Sequence, residues 1–327
     1  MKRALIFGIT GQDGSYLAEI LLAKGYEVHG LVRRSATGNT RNIEHLLNDD
    51  RKIDKTLFIH RGDLADPVSI YKTILEVKPD EIYNEADQDH VAWSYDMVGY
   101  SADITASAPA RILEIIYRTD KNIRFFQPCT SNMFGEADQT PQNENTRFNP
   151  MSPYACAKVS AYYFSRYYRK SLGIFASTAI LYNHESPRRT QEYVTRKITS
   201  SVARISLGKQ EKLELGDTSA KIDWGYAKEY MDAAHSILQL DEPDDFIIAT
   251  GESHSVQEFV NEAFDFVGLK SSDYLEINKK FLRPTKTSTL VGDTSKAKKK
   301  FNFNPKFKFK ELVHLMLEED LRIESQN

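Results

Sequence analysis

Short apolar runs alternate along the first half of this chain with longer segments whose apolar residues recur every third or fourth position. Arg3 to Gly8 (RALIFG) reads as a buried strand, and Ser15 to Lys24 (SYLAEILLAK) as a helix with one apolar face. Gly25 is placed to end that helix, and Glu27 to Val32 (EVHGLV) predicts a second strand. Strand-like runs recur at Leu57–His60, Glu81–Asn84, Ile123–Phe126 and Phe175–Tyr182, with helical segments between them. Such alternation implies right-handed βαβ crossovers and a doubly wound parallel sheet covered on both faces, a Rossmann-type α/β fold.

Past Asn183 the pattern breaks into shorter, more polar pieces punctuated by Pro187, Gly208, Gly216, Pro243 and Pro284. The expected division is a first lobe of residues 1–181, rejoined by about 224–250. A smaller mixed lobe takes about 182–223 and 251–327. The tract Lys296 to Lys310 (KAKKKFNFNPKFKFK) reads as a helix end, a turn at Pro305 and a short strand with its lysines in water.

Composition narrows the classes. The 327 residues are 41% hydrophobic and 27% charged, ordinary for a globular protein with an ample core. A formal charge of −3 argues against a general nucleic-acid role, and one basic tract does not make a continuous basic surface. Cys129 and Cys156 have neither disulfide density nor metal-ligand spacing, and no His/Cys/Asp cluster suggests a metal. With no apolar stretch of about 18 residues to span a membrane and a first strand beginning almost at Met1, a cytoplasmic location is expected.

Gly8-Ile9-Thr10-Gly11-Gln12-Asp13-Gly14 is a G-x-x-G-x-x-G fingerprint between the first strand and the first helix. Glycines there let the backbone approach a pyrophosphate at a helix N-terminus, where free N–H groups and the dipole favour an anion. Three glycines also make an ordinary tight turn; the position in the fold favours the dinucleotide. The acidic residue that commonly grips a ribose 2′-OH after the second strand is absent, and Arg33-Arg34-Ser35 stand in its place. Arginines suit the 2′-phosphate of NADP, with NAD as the alternative. Tyr154 and Lys158 form Y-x-x-x-K, one helical turn apart. A lysine ammonium beside a tyrosine lowers the phenol's pKa and makes it a usable base toward a hydroxyl.

These motifs, with Gly8–Leu17 (GITGQDGSYL), Val28–Ser35 (VHGLVRRS), Tyr182–Arg189 (YNHESPRR), Val194–Ile198 (VTRKI) and Ala249–Ser255 (ATGESHS), resemble the GDP-mannose 4,6-dehydratase branch of the extended short-chain dehydrogenases/reductases. The resemblance runs over nearly the whole chain. It implies that Thr130 and Tyr154 contact a sugar C4 hydroxyl, that Lys158 holds the nicotinamide ribose, and that Asp63 and Leu64 hold adenine. It also implies that Asn183, Lys197 and Arg283 hold the GDP moiety, that NAD(H) or NADP(H) is tightly bound, and that the chain forms a homotetramer. In that assembly Arg33–Arg41 reaches a neighbour, and helices around Ala102–Tyr117 and Tyr154–Arg169 pair.

Four departures stand out. Asn132 occupies the third place of Thr130-Ser131-Asn132, where such dehydratases carry a glutamate that works as acid and base. Glu85, Asp87 and Asp89 stand in a loop that is largely neutral in the family. Ile222 replaces an arginine, and Lys286 an acidic residue that helps read guanine. His90 and His184 read as structural hydrogen-bonding groups. Because an amide neither takes nor gives a proton at neutral pH, the expectation is NAD(P)-dependent oxidation at C4 of a GDP-sugar without loss of water. By resemblance the sugar is GDP-D-glycero-D-manno-heptose and the product serves surface polysaccharide synthesis. A small 2-oxo acid is then expected as oxidant. The 4,6-dehydratase is the alternative, and a non-catalytic cofactor-binding regulator the remote one.

Overall fold

The computed structural model describes residues 1–36, 38–281 and 289–326. Strands β1 (Arg3–Phe7), β2 (Glu27–Val32), β3 (Leu57–Arg61), β4 (Glu81–Asn84), β5 (Arg124–Thr130) and β6 (Ala176–Leu181) build the first half. Between them lie helices α1 (Gln12–Ala23), α2 (Glu44–Leu47), α3 (Pro67–Val77), α4 (Val91–Asp96), α5 (Val98–Ser101), α6 (Ala108–Thr119) and α7 (Pro153–Leu172). The second half runs β7 (Asn183–Glu185), α8 (Val194–Ser206), β8 (Leu213–Leu215), β9 (Lys221–Ile222), β10 (Trp224–Tyr226), α9 (Ala227–Leu238) and β11 (Asp245–Ile248). It ends with β12 (His254–Ser255), α10 (Val256–Phe266), β13 (Leu275–Ile277), α11 (Ser295–Phe301) and α12 (Phe309–Gln326).

Seven parallel strands form the central sheet in the order β11-β6-β5-β4-β1-β2-β3. This is the expected Rossmann-type sheet. Its switch point lies between β1 and β4, where successive crossovers go to opposite sides and leave a crevice at the strand C-termini. On one face Leu17, Leu21, Met231 and Ile237 from α1 and α9 join Ile6 and Phe246 in a single apolar cluster. On the other, Ile70, Ile74, Ile112 and Ile116 from α3 and α6 close over Leu5, Phe7 and Phe125. With both faces covered, the strands are apolar on both sides, so their sequences read as runs and not as alternation.

Helix ends follow local chemistry. Ser152 accepts a hydrogen bond from Ala155 N at 3.1 Å, Pro153 occupies the first turn, and Gly173 at φ +72° ends α7. This anchors the long helix that carries Tyr154 and Lys158. The first helix starts at Gln12, three residues earlier than its apolar periodicity suggested, because the fingerprint's own Gln12-Asp13-Gly14 forms its first turn. Residues 302–308 form no strand, contrary to the expectation for the Lys296–Lys310 tract. Phe303 packs into the core while the lysines at 298, 299, 300, 306, 308 and 310 stay exposed, so irregular backbone serves without a pairing partner. A third cluster, with Ile198, Val202, Phe259, Val313 and Met316, sits among α8, α10 and α12.

Candidate active site

The crevice at the C-terminal ends of β1, β4, β5 and β6 widens into a cleft of about 500 Å³. Gly8, Gly11, Gln12, Asp13, Arg33, Asp63, Leu64, Thr130, Asn132, Tyr154, Lys158 and Asn183 all line it. Gly14 lies just behind its wall: a Cβ there would overlap Gly8 O, which explains why α1 can pack so close to the turn. At Gly8, φ is +83° and a Cβ would sit 2.6 Å from Glu85 O, so the β1–α1 turn and the β4 loop touch through bare backbone. The closely apposed backbone and the helix N-terminus suit an anionic dinucleotide.

One expected contact falls outside this cleft. Lys197 lines a separate hollow with Arg204 and Lys212, its Nζ 3.7 Å from the centre of the Phe281 ring. Arg283, like Lys286, lies outside the described residues. Arg33 points along the cleft rim and donates to Tyr100 Oη at 3.2 Å.

At the closed end, Thr130 finishes β5 and lines the cleft beside Tyr154, near enough to lower the pKa of its phenol. Lys158 is buried, donating to Pro128 O at 2.8 Å and pairing with Asp87 Oδ2 at 2.5 Å. That second contact revises the expected activation of Tyr154. Burial raises the phenol's pKa, Lys158 lowers it, and Asp87 and Asp89 raise it again, leaving it well above the usual tyrosine value. The Y-x-x-x-K spacing is present, but its cation is already shared with a carboxylate that the spacing does not reveal.

Asn132 Nδ2 donates to Thr130 Oγ1 at 3.1 Å. The amide therefore orients the threonine and carries no titratable proton. Opposite it stand the loop acids after β4. Burial first, then the charge of Asp13, push the Glu85 carboxyl well above the usual range, and its Oε1 has no hydrogen-bond partner among the described residues. Asp89 lies 3.8 Å from Arg189, whose guanidinium also sits over the Tyr193 ring at 3.5 Å and 3.3 Å from Glu185. Sequence reasoning singled out the three acids but found no partner for them. It missed Arg189 and Tyr193, whose only signal was membership of the YNHESPRR and VTRKI neighbourhood.

Fingerprint at one end, hydroxyl, phenol and lysine at the other: this is the site of an extended short-chain dehydrogenase/reductase. The family model described as GDP-mannose 4,6 dehydratase matches residues 5–316. "GDP-mannose 4,6 dehydratase 1" of Arabidopsis thaliana is 46% identical, covering 98% of this chain and 90% of the relative. "GDP-mannose 4,6-dehydratase" of Vibrio cholerae is 41% identical, covering 98% and 94%. The chain belongs to the GDP-mannose 4,6-dehydratase family. Among solved structures, dTDP-glucose 4,6-dehydratase from Bacillus anthracis in complex with NAD superposes with a TM-score of 0.84 over 99% of this chain and 98% of that one, at 19% identity.

These relatives overturn one expectation. Asn132 suggested an enzyme that stops at the 4-ketone, yet full-length relatives at 41–46% identity are named as dehydratases. The inference failed because it treated one position as the sole source of acid/base chemistry, whereas the cleft contains other carboxyl groups. The external oxidant was a corollary of that inference and goes with it.

Proposed function

We propose that this protein is a 4,6-dehydratase of a GDP-activated manno-configured sugar. The observation that carries this reading is the family match over residues 5–316 together with a cleft that joins the glycine fingerprint to Thr130, Tyr154 and Lys158. A nicotinamide dinucleotide bound along β1–α1 would supply the hydride acceptor for C4 and the donor for C6. Gly8, Gly11, Gln12 and Gly14 shape its pyrophosphate turn, Asp63 and Leu64 its adenine end, and Lys158 its ribose. Arg33 at the end of β2 supports NADP.

Tyr154 takes the C4 hydroxyl proton while Thr130, held by Asn132, hydrogen-bonds the same oxygen. The resulting ketone acidifies C5–H. Asp89 is the carboxylate we assign to take that proton: Asp87 is bound to Lys158 at 2.5 Å, burial raises the Glu85 pKa, and Asp89 meets Arg189 only at 3.8 Å. The C6 hydroxyl leaves as water on taking that proton from Asp89, and C5 regains the proton that Tyr154 took from the C4 hydroxyl as C6 is reduced. A dinucleotide held there would be oxidised again at the end of each cycle and would need no exchange. Asn183 faces the same cleft and suits the nucleotide end; Lys197, Arg204 and Lys212 offer cations in the neighbouring hollow for phosphate.

Association of subunits is part of the same reading. Trp93, Met97 and Val98 of the α4–α5 region and Tyr163, Phe164 and Tyr167 of α7 are exposed large apolar side chains. An apolar surface of this kind supports pairing of α7 with its copy, and two such pairs would make the tetramer. Light scattering that returns the mass of one chain would remove this part.

The test of function is mass spectrometry of GDP-mannose and GDP-D-glycero-D-manno-heptose incubated with the purified protein. Loss of water is expected, without added oxidant and over many turnovers. Loss of two hydrogens alone would sink the dehydratase reading. Denaturing the purified protein should release a dinucleotide whose mass identifies NAD or NADP.

A further inference from the structure

Asp13 and His184 are joined in a way that the sugar chemistry does not use. His184 Nδ1 lies 2.8 Å from Tyr182 O, and Nε2 lies 2.8 Å from Asp13 Oδ2. A carbonyl and a carboxylate both only accept, so each ring nitrogen must carry a hydrogen for both bonds to form. The ring is then an imidazolium. Asp13 stands in the first turn of α1, within the fingerprint, among the backbone N–H groups that suit a phosphate. A bare carboxylate there would repel a diphosphate.

The surroundings favour the charged pair. Burial alone would lower the His184 pKa, but the charge and hydrogen bond of Asp13 and the Tyr182 carbonyl outweigh it and leave it raised. Burial alone would raise the Asp13 carboxyl, but His184, with Arg189 behind it, holds it below the ordinary value. The other ionisable groups facing the pair are Glu85 and Asp87 from the β4 loop and Tyr230 of α9, whose ring centre is 5.0 Å from the imidazole; Glu185, next to His184 on β7, is instead bound to Thr195 and Arg189. Neighbouring bonds tie the same two segments: Gln12 Nε2 donates to His184 O at 3.1 Å, and Ser186 Oγ to Gln12 Oε1 at 2.8 Å.

We propose that His184 is a positioning residue of the cofactor site: its imidazolium neutralises Asp13, so that the first turn of α1 accepts an anionic dinucleotide. The same pair fastens the fingerprint to β7, which carries Asn183, so the cofactor turn and the nucleotide end of the cleft are held in one register. The inference rests on the reading that this turn holds a dinucleotide pyrophosphate.

NADPH and NADH fluorescence titrations of protein freed of bound dinucleotide test it. His184→Gln should weaken binding roughly tenfold, the scale of one uncompensated charge at a helix N-terminus. Asp13→Asn in the His184→Gln background should recover most of that loss. A role in packing alone would leave the double variant as weak as the single one, and that result overturns the proposal. Affinity of the unmodified protein should fall as pH rises through the raised His184 pKa, and Asp13→Asn should flatten the profile. Unmodified protein that binds neither dinucleotide would instead overturn the functional reading. If His184→Gln does not fold, nitrogen NMR of the unmodified protein decides: both His184 ring nitrogens protonated at neutral pH is expected, and a neutral ring refutes the assignment.

Discussion

The two walls of the cleft are built on different principles. One wall, the end of β5 and the first turns of α7, is regular secondary structure with capped ends. It carries Thr130, Tyr154 and Lys158 at helical and strand spacings. The other, residues 85–90 between β4 and α4, is a loop that carries three carboxyl groups, and its backbone is pressed against Gly8. Each wall looks simple alone. Across the gap, Asp87 takes the charge of Lys158, and the phenol that the lysine was expected to activate is left with a raised pKa. A catalytic motif on one element thus has its electrostatics set by the element facing it.

Removing the phenol proposed as base on the regular wall should have the largest effect. Tyr154→Phe is expected to slow C4 oxidation by about 10²–10⁴-fold, read as cofactor reduction in stopped flow, with dinucleotide content unchanged. A fall of less than about tenfold would place the base on the loop wall. Asp89→Asn should separate the two walls by step: dehydration falls by about 10²-fold or more, while C4 oxidation continues and the 4-ketone accumulates in the mass spectrum. Unaltered dehydration would remove Asp89 from the mechanism. Thr130→Val should cost roughly tenfold in kcat, the worth of one hydrogen bond to a developing charge. A change confined to KM would make Thr130 a binding residue only.

The smallest effect sharpens the comparison most. Asp87→Asn removes a carboxylate that raises the Tyr154 pKa and frees Lys158 to lower it. The reactive, deprotonated phenol is the minor form below that pKa, so at a fixed pH its share, and with it the rate of C4 oxidation, should rise. A rate that is unchanged, or falls, would show that the loop wall does not control the phenol.

Much was legible along the chain because short-range physics decides it. The strand Glu27–Val32 has the bounds that its apolar run implied, and the parallel sheet follows from the alternation of buried runs and amphipathic helices. The glycine fingerprint and Y-x-x-x-K carry their meaning in spacings of a few residues, and both line the cleft. Where local pattern had no energetic partner, it misled: the alternation in Lys296–Lys310 forms no strand, and its phenylalanines pack from two helix ends and the irregular backbone between them.

The amino-acid sequence by itself determined the layered fold, the position of the glycine-rich turn and the place of the phenol and lysine, since each depends on residues close in the chain. Only the tertiary structure decided which charges meet. Asp13 and His184 are 171 residues apart in sequence and 2.8 Å apart in space, and Asp87 reaches Lys158 from another strand end. Coulomb energy depends on distance through space and on burial. Neither is a property of spacing along the chain, so Asp87 and Asp89, which sequence left without a role, acquired their partners only when β4, α7 and the chain after β7 were brought to one crevice.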